Sequence, residues 1–369
     1  MSTDQTQDQA LELDLIGKIG SKPERDHGIA IVGAGTIVRY GHLPAYKTWG
    51  LKVVGITDLD VPRAKALAHD FNLPRVYPDL PALLADPEVE IVDIAVPARF
   101  QPEIACTALD SGRHLLCQKP FAERYSDAQR VVELAAYRGL KLAVNQQMRW
   151  TPSMRAVKEL IRRGWLGEPL RAEFDINLWE GLTGWVLDVD PFDLLYYSIH
   201  FYDVSRFLYG EPDWVYSLCG RWPGQKMKGE TRTHVLLEYP SGLQLLHRTN
   251  HNNHAGDTYA TFRVEGTEGI AKGTFGIHYG YPFGRPDGFE FTTKKYLTNC
   301  WIELKFTEKW IPDAFAGPML SLVKAIETGS EPATSGKDNL KSLRLAFAIQ
   351  RSQRTHQPAR PADPEVEGQ

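Results

Sequence analysis

From residue 28 the chain alternates short apolar runs with amphipathic helical stretches, and this alternation constrains the fold more than any other feature. The apolar runs are nearly continuous, as expected of strands that are buried on both faces of a parallel sheet. We therefore predict an N-terminal α/β domain over residues 27–148, built on a doubly wound parallel sheet. Its strands are predicted within 28–35, 51–57, 90–96, 114–118 and 140–146.

The pattern changes after about residue 150, where longer strand-like runs replace the alternation. The runs at 233–240 and 243–251 meet at a Pro-Ser-Gly turn and predict a β-hairpin. We predict a second, α+β domain over 149–357 with a large, mostly antiparallel sheet. Residues 1–26 and 358–369 are expected to form a flexible arm and a tail. Further strand-like runs lie at 170–179, 259–266 and 269–275.

Length and composition agree with this division and exclude several classes of partner. A chain of 369 residues is too long for one ordinary core. The net charge of −4, without any basic block, argues against nucleic acid or an anionic membrane as a partner. No apolar run is long enough for a membrane span, and the four cysteines form no CxxC pair. We expect a soluble cytoplasmic protein with reduced thiols and no export signal in this chain.

A glycine turn and an acidic residue predict the cofactor. Gly33 and Gly35 follow the first strand and match the positions where a dinucleotide-binding chain turns tightly and approaches a pyrophosphate. Asp58 ends the second strand, where a carboxylate accepts hydrogen bonds from the ribose hydroxyls and repels a 2′-phosphate. We predict a Rossmann domain that binds NAD rather than NADP, since the nearest arginine is Arg63. The alternative is a turn without ligand and an Asp58 that caps a helix.

The stretch CQKPF at 117–121 places Lys119 at the end of the fourth predicted strand. Ligands of open parallel sheets bind beyond the carboxyl ends of the strands. We therefore predict that Lys119 lies at the nicotinamide end of the cofactor, rather than merely extending into solvent. The predicted cofactor contacts are Gly33, Gly35, Thr36, Ile37, Asp58, Pro97, Gln118 and Lys119.

Several motifs taken together resemble the family of glucose–fructose oxidoreductase and inositol dehydrogenase over residues 27–357. They are GAGTIV followed by HLPAY, Gln118-Lys119-Pro120, AVNQQMRW, the helix SIHFYDVSRFLYG and the segment AFAGPMLSLVKAI. The resemblance implies an NAD-dependent dehydrogenase of sugars and cyclitols that is a homodimer or homotetramer. It also implies that Lys119 contacts substrate and nicotinamide, and that His200 is the acid/base.

The chain departs from the family pattern near these two residues. Tyr196 stands where an aspartate commonly precedes the histidine by four residues, and Gln118 stands where a glutamate precedes the lysine. Gln101 likewise replaces a frequent histidine after the third strand. The role of the missing aspartate is left to Tyr196, one helical turn from His200, or to Asp193, one turn further back.

A polar stripe supports a site around His200. Asp193, Tyr196, His200 and Asp203 recur at i, i+3, i+7 and i+10, and an α-helix would place them on one face. So many polar groups on one stripe favour a functional site over a buried core histidine. The predicted catalytic residues are Lys119, His200, Tyr196 and Asp193.

Substrate contacts are predicted beyond the fifth strand and in an aromatic loop. Arg149 and Trp150 follow that strand, and their structural alternatives are an ion pair and simple packing. Trp179 and Trp185 are aromatic residues of the kind that stack on the C–H faces of pyranoses, although such residues also serve as packing.

His251 belongs to the polar run at 247–254. The run has no carboxylate or cysteine at ligand spacing, so we predict no metal site there. Hydroxyl recognition, with His251 as a substrate contact, and a solvated strand edge are the two remaining interpretations.

These observations predict an NAD-dependent dehydrogenase that oxidises a secondary hydroxyl of a sugar, glycoside or cyclitol. His200 would remove the hydroxyl proton, and Lys119 would polarise the oxygen. The family that the sequence resembles includes enzymes that oxidise the C3 hydroxyl of intact glycosides. The alternatives are an NAD-sensing regulator without turnover, which would not need Lys119 and His200 together, and an imine or biliverdin-type reductase.

Overall fold

The computed structural model describes residues 15–178, 181–296 and 300–363. The chain divides into two compact units, and each of them contains one sheet in the described residues. The parallel-sheet unit consists of Ile19–Gln147 and Ile311–Leu343. The large-sheet unit consists of the described parts of 1–18, 148–310 and 344–368.

In the parallel-sheet unit every neighbouring pair of strands runs parallel. The strands are β1 (Ile29–Val32), β2 (Val53–Thr57), β3 (Ile91–Ile94), β4 (His114–Cys117) and β5 (Leu142–Val144). Their order across the sheet is β2-β1-β3-β4-β5. The strand β2 is therefore added on one side of β1 and the strands from β3 to β5 on the other, which makes a topological switch point between β1 and β3. Open sheets of this kind bind ligands at that switch point, outside the carboxyl ends of the strands. Val76 adds a single parallel bridge to Ile56 beyond β2.

Helices connect these strands. The helical run that starts at Thr36 contains the π-helical segment Val38–His42 and continues into α1 (Leu43–Trp49). The side chains of Asp60 and Asp79 cap the two helices that follow, because each accepts a hydrogen bond from a backbone N–H of the first turn. Those helices and the next two are α2 (Val61–Phe71), α3 (Leu80–Ala85), α4 (Gln101–Asp110) and α5 (Tyr125–Arg138).

The large-sheet unit has eight strands in its described residues. They are β6 (Pro169–Asn177), β7 (Trp214–Gly220), β8 (Arg232–Glu238), β9 (Gln244–Asn250), β10 (Tyr259–Gly266), β11 (Gly269–Thr274), β12 (Gly288–Thr293) and β13 (Ile302–Lys305). Their order is β13-β12-β11-β10-β6-β9-β8-β7. Neighbours are antiparallel except for β6 and β9, which pair in parallel. The predicted hairpin is β8 and β9.

One face of this sheet is buried against helices. Strand residues alternate between buried and more exposed along β8 and β9, as the two-residue period of a strand requires. The unit contains α6 (Pro152–Arg162) and α7 (Ile199–Tyr209). Phe201 of α7 packs on Phe174 of β6, with ring centroids 5.5 Å apart. The buried face therefore carries the helix that contains His200.

Residues 311–343 return to the parallel-sheet unit. There the N–H of Val144 donates to the carbonyl of Thr334 at 2.8 Å, and Ser335 forms an antiparallel bridge with Ala143, so this segment pairs with the edge strand β5. The ring of Phe315 lies against Gly41, where a Cβ atom would be 2.8 Å from it. The returning chain forms α8 (Ala316–Thr328) and the start of α9 (Gly336–Thr355).

The predicted fold class is confirmed, since a doubly wound parallel sheet is joined to an α+β unit with a large, mostly antiparallel sheet. Among the helices that the structure describes, none is long and apolar enough to cross a membrane.

Candidate functional site

The turn after β1 can accommodate a phosphate. Gly33 has φ +110°, and a Cβ atom there would lie 2.4 Å from the carbonyl oxygen of Ala95, so only glycine fits. A Cβ atom at Gly35 would meet nothing within 4 Å, which leaves open space beside the start of the helical run. The N–H groups of a first helical turn have no intrahelical acceptor and attract anions. Thr36, which begins this run, is exposed, and Ile37 is half-buried.

Asp58 is held beside this turn by hydrogen bonds. Its Oδ2 accepts the N–H of Ala34 at 2.6 Å, and its Oδ1 accepts the N–H of Asp60 at 2.7 Å and Nη2 of Arg63 at 2.9 Å. Burial raises the pKa of this carboxyl, but the bonds from Arg63 and the two N–H groups outweigh it and leave the pKa below its ordinary value. Asp58 is therefore an oriented anion beside the glycine turn. These residues fit the adenosine half of NAD.

The loop after β4 is held by the side-chain amide of Gln101. In the sequence this residue was noted only because it replaces a histidine that is frequent in the family the chain resembles. Nε2 of the buried Gln101 donates to the carbonyl of Gln118 at 2.8 Å and to that of Pro120 at 2.9 Å. Gln118 Oε1 in turn accepts the N–H of Lys119 at 2.9 Å. Lys119 is half-buried at the carboxyl end of β4, and Pro97 is half-buried after the neighbouring β3. Gln101 therefore positions the lysine loop.

In the large-sheet unit His200 lies near the start of α7 and is 8% exposed. Its ring packs edge-on against Trp310, with centroids 5.5 Å apart. The same indole also packs edge-on against the ring of His278, with ring centroids 6.0 Å apart. The hydroxyl of Tyr197 and Nε2 of His278 share a hydrogen bond of 3.2 Å, and both side chains are half-buried. His200 thus belongs to a cluster of aromatic and titratable groups.

The proposed stripe on one helical face is wrong in its geometry. Residues Asp193–Tyr197 form a π-helical segment, and the α-helix begins only at Ile199, so α-helical spacing does not apply across both. Asp193 is fully buried: its Oδ1 contacts Nε2 of His251 at 2.7 Å, and its Oδ2 accepts the hydroxyl of Ser198 at 2.9 Å. Asp193 and His251, predicted separately as a catalytic and a substrate residue, therefore form one buried pair. Burial raises the pKa of Asp193, but the bond to His251 and the charges nearby lower it further than burial raises it.

Arg149 and Asp203 form a second buried pair. Nε and Nη2 of Arg149 donate to the two carboxylate oxygens of Asp203 at 2.6 and 2.7 Å. The sequence left two interpretations of Arg149, a substrate contact and an ion pair, and this bidentate contact is such an ion pair. Trp150 is half-buried, and its carbonyl accepts Nε of Arg155 at 3.1 Å.

The aromatic loop meets the π-helical segment at Tyr196. The rings of Trp185 and Tyr196 pack edge to face, with centroids 5.8 Å apart, and Trp185 is exposed while Tyr196 is buried. Trp179, the other predicted aromatic contact, lies outside the described residues. In the described part of the chain there is no group of three or more histidine, cysteine, aspartate or glutamate side chains that could hold a metal ion.

Three members of the His200 cluster were not predicted from the sequence: Tyr197, His278 and Trp310. Tyr197 was not predicted because α-helical spacing selects its neighbour Tyr196 instead. His278 lies in a short 3₁₀ turn, and Trp310 follows the last strand, so neither belongs to a periodic pattern. Only the distance between residues in space, not their spacing in sequence, identifies them.

Glu230 caps the segment that leads to His200, and its titration gives a testable pH dependence. Its carboxylate accepts the N–H of Leu194 at 2.7 Å and that of Phe192 at 3.2 Å. Burial raises the pKa of Glu230 from 4.5 to about 7, and the charge of Asp193 adds to this effect. The folded state thus binds this proton more tightly than the unfolded chain. Stability from this group is present at low pH and declines as the pH rises towards about 7.

We expect Glu230→Gln, which does not ionise, to gain stability relative to the unmodified protein as the pH rises. Between pH 5 and 8 the difference in unfolding free energy should change by on the order of 2 kcal/mol. Urea unfolding of both proteins across this range measures the change. Asp287 and His247 also have shifted pKa values, but they are present in both proteins. Subtracting one unfolding free energy from the other therefore cancels their contributions. A difference independent of pH would show that Glu230 does not titrate here.

Two family models match the chain. The model of an oxidoreductase family with an NAD-binding Rossmann fold matches residues 27–146, and the C-terminal alpha/beta domain model of that family matches residues 158–360. The second model alone covers more than half of the chain. The first model contains every strand of the parallel sheet, and the second contains the described strands of the large sheet together with residues 311–343 of the parallel-sheet unit.

Relatives and solved structures agree with this assignment. The chain is 28% identical to D-apiose dehydrogenase of Paraburkholderia graminis, over 88% of this chain and 87% of the relative. It is 26% identical to D-xylose 1-dehydrogenase (NADP(+)) 2 of Haloferax volcanii, over 88% and 97% of the two chains. An oxidoreductase from Agrobacterium radiobacter, solved with NAD+, L-tartaric acid and magnesium, superposes with a TM-score of 0.80 at 23% identity. That match covers 91% of this chain and 99% of the other, and at this identity it shows the fold alone.

The glycine turn with its oriented Asp58, the sheet topology and both family models lead to one assignment. The protein is an oxidoreductase of the family with an NAD-binding Rossmann domain and a C-terminal alpha/beta domain.

Proposed function

We propose that this oxidoreductase oxidises a secondary hydroxyl of a sugar, glycoside or cyclitol, with NAD as the preferred cofactor. The observation that carries the cofactor assignment is the Asp58 carboxylate, bonded to the N–H of Ala34 at 2.6 Å beside an open glycine turn. A fixed anion at this position favours a ribose diol over a 2′-phosphate. The nicotinamide, when bound, accepts the hydride from the substrate carbon.

The protein's part in the reaction is to handle the hydroxyl proton and the oxygen. We assign His200 as the base that removes this proton, because an imidazole exchanges protons near neutral pH. Lys119 donates a hydrogen bond to the oxygen as it becomes a carbonyl, which stabilises the charge that develops there. Gln101 supports this role, since it holds both carbonyls that flank Lys119.

Three features support a polyhydroxylated substrate. The relatives named above act on apiose and xylose, as their names state. The Tyr197–His278 pair lies against the same tryptophan as His200 and supplies groups that both donate and accept hydrogen bonds. The exposed Trp185 offers an aromatic face of the type that packs on sugar C–H groups. Oxidation at C3 of an intact glycoside is the specific form of this proposal that we favour.

The direct experiment is a spectrophotometric screen at the absorbance band of reduced nicotinamide. Polyols, inositols, aldoses and methyl glycosides are offered with NAD and, separately, with NADP. The proposal expects reduction of NAD with at least one class of these alcohols. Activity confined to imines or bilins would reassign the chain as a reductase of those compounds, and cofactor binding without any turnover would favour a regulator.

We also propose that the large sheet mediates homodimer or homotetramer formation. The strand register places Trp214 and Leu218 of β7 on the same face as Leu236 of β8, and all three are exposed. Further along this face Arg248 pairs with Asp175. An apolar patch bordered by charged pairs on a sheet face is typical of an association surface.

Light scattering at micromolar concentration should therefore give the mass of a dimer or a tetramer. Leu218→Asp together with Leu236→Asp is expected to shift the protein towards the monomer, because the charges would be buried without partners. Tyr137→Asp is the matched control, since Tyr137 is exposed on α5 of the other unit. A monomer in the unmodified protein, or an unchanged mass in the double variant, would contradict this surface assignment.

A further inference from the structure

We propose that the open face of the large sheet, the face opposite α7, carries a second binding site that takes a small phosphate anion, either free or as an ester. The site is a cavity of about 230 Å³ that spans the neighbouring strands β8, β9, β6 and β10. Its decisive side chains are Arg232, His234, Arg248, Asp175 and Tyr259. Binding there is independent of the proposed dehydrogenase reaction.

The strand register brings these side chains together. In one cross-strand row Arg232 of β8 lies opposite Asn250 of β9. In the next row on the same face His234 lies opposite Arg248, and Arg248 lies opposite Asp175 of β6. Residues two apart in a strand share a face of the sheet. Two guanidinium groups and an imidazole therefore project from the same side of adjacent strands.

The cavity lies on the side of the sheet away from the helix that carries His200. His247 is fully buried, and its ring stacks on that of Phe201 in α7 with centroids 4.6 Å apart. Its neighbour Arg248 is half-buried and belongs to the other face, because successive side chains of a strand alternate between faces. The sheet therefore separates this cavity from α7.

The charges in the cavity leave an excess of one positive group. Arg248 donates through Nη2 to the carboxylate of Asp175, so these two charges compensate each other. Within the residues that the structure describes, the guanidinium of Arg232 has no carboxylate partner and no hydrogen-bond acceptor. It lies over the ring of Trp222, with Cζ 5.4 Å from the ring centroid. Arg232 is thus an unpaired cation that an aromatic ring holds in place.

His234 shows that both guanidinium groups act on the interior of the cavity. Partial burial and the charges of Arg248 and Arg232 lower the pKa of His234, and the charge of Asp175 opposes them only in part. The imidazole is therefore neutral at pH 7 and carries one N–H donor. An anion between the two arginines would offset their mutual repulsion.

The polar wall of the cavity is fixed without any ligand. The indole N–H of Trp222 donates to Oδ1 of Asn250 at 3.0 Å, and Nδ2 of Asn250 donates to Oδ1 of Asn177 at 2.8 Å. Nδ2 of Asn177 in turn donates to the carbonyl of Asp257 at 2.8 Å. Both amide oxygens are thus occupied, while each amide nitrogen keeps a second N–H. The wall therefore offers donors to a ligand.

These donors define the chemistry of the ligand. Burial and the charge of Asp175 raise the pKa of Tyr259, so that its hydroxyl keeps its proton and can donate as well. A cavity with guanidinium, imidazole, phenol and amide donors suits a ligand that offers mainly acceptors. Phosphate oxygens are such acceptors, and a planar guanidinium binds two of them at once.

The surroundings of the cavity favour a small anion over a polymer or a membrane. Leu218 lies opposite His234 in the register, and both Leu218 and Leu236 on this face are exposed. On the other side Thr261 lies opposite Asp175. The positive charge is therefore confined to the cavity, whereas nucleic acids and anionic membranes bind extended basic surfaces.

Isothermal titration calorimetry of the whole chain with inorganic phosphate tests the site, without nicotinamide cofactor or alcohol. The ionic strength is held constant with sodium chloride, because non-specific binding of anions is screened by salt. Glycerol phosphate is the second probe and distinguishes an ester from the free anion. The variants are Arg232→Ala and Arg232→Lys. Arg263→Ala is the matched control, since Arg263 lies on the same face of β10 and pairs with Glu265.

We expect the unmodified protein to bind one phosphate per chain. Arg232→Ala should raise the Kd about 10-fold or more, as for the loss of a charged hydrogen bond. Arg232→Lys should lie between the two, because an ammonium keeps the charge and loses the bidentate geometry. Arg263→Ala should bind as the unmodified protein does. Tighter binding of glycerol phosphate than of inorganic phosphate would identify the ligand as an ester, and the reverse as the free anion.

Two results would overturn the site. One is the absence of saturable phosphate binding in the unmodified protein, which would also be seen if a second copy of the chain closed the cavity. The other is an equal Kd in Arg232→Ala and Arg263→Ala, which would mean that phosphate binds elsewhere. Because the titration involves no turnover, a failed substrate screen leaves its outcome intact.

Discussion

Replacement of His200 by alanine is expected to lower kcat by about 10²–10⁴-fold, the range that a general base typically contributes. The alanine variant would retain the cofactor site, since Asp58 and the glycine turn belong to the parallel-sheet unit. NADH affinity should therefore stay unchanged while turnover falls. The measurement is the initial rate on the alcohol found in the screen, together with an NADH titration.

A histidine elsewhere provides the control for this variant. The side chain of His69 is 91% exposed on α2, so His69→Ala should leave kcat unaltered. Retention of most activity by His200→Ala would remove His200 from the reaction. The cluster around Trp310 would then point to His278 as the next candidate base.

Tyr196→Phe and Tyr197→Phe would show which hydroxyl assists His200. Each keeps the aromatic ring, so the Trp185–Tyr196 contact and the Tyr197–His278 ring contact keep their shape. A large loss in one variant assigns the hydroxyl to the proton path. Normal turnover in both variants would leave Asp193, which is bonded to His251, or water.

Replacement of Lys119 by alanine is expected to lower kcat on the order of 100-fold or more, which is the cost of losing one donor to a developing oxyanion. If Lys119 only extends into solvent, turnover should be nearly normal. Lys52→Ala is a suitable control, because Lys52 forms an exposed pair with Glu88 in the same unit. Initial rates with saturating NAD measure the effect.

The double variant is the sharper test of the shared role. If Lys119 and His200 act on one oxygen, Lys119→Ala/His200→Ala should lose less than the product of the two single losses. Strictly multiplicative losses would assign them to separate steps. Near-normal rates in both single variants would mean that neither handles the reacting oxygen.

The sequence predicts the five strands of the parallel sheet well because their signals are local. Each central strand is a buried apolar run, and the conformation of Gly33 makes glycine necessary at the predicted turn. Three described strands of the large sheet were not predicted: β7, which carries exposed Trp214 and Leu218, β12, and β13, which has only four residues. Their pairing depends on neighbours in the sheet rather than on their own sequence.

The site around His200 was predicted only in part, and the reason is geometric. A helical pattern read from sequence assumes 3.6 residues per turn, whereas Asp193–Tyr197 is π-helical. Asp193 therefore pairs with His251 and not along the expected stripe. The sequence identifies Arg63 only as the nearest arginine to Asp58, and the structure shows that its guanidinium donates to that carboxylate.

The return of residues 311–343 to the parallel-sheet unit has a consequence for biosynthesis. A ribosome releases β1 to β5 first, but the pairing of β5 with Ser335 and the packing of Phe315 against Gly41 must wait for the last part of the chain. Domains usually fold in the order in which they emerge. Here the unit whose sheet is made first is completed only after every described strand of the large sheet has been made. Premature termination anywhere between 147 and 311 would therefore leave the edge of β5 without its partner segment.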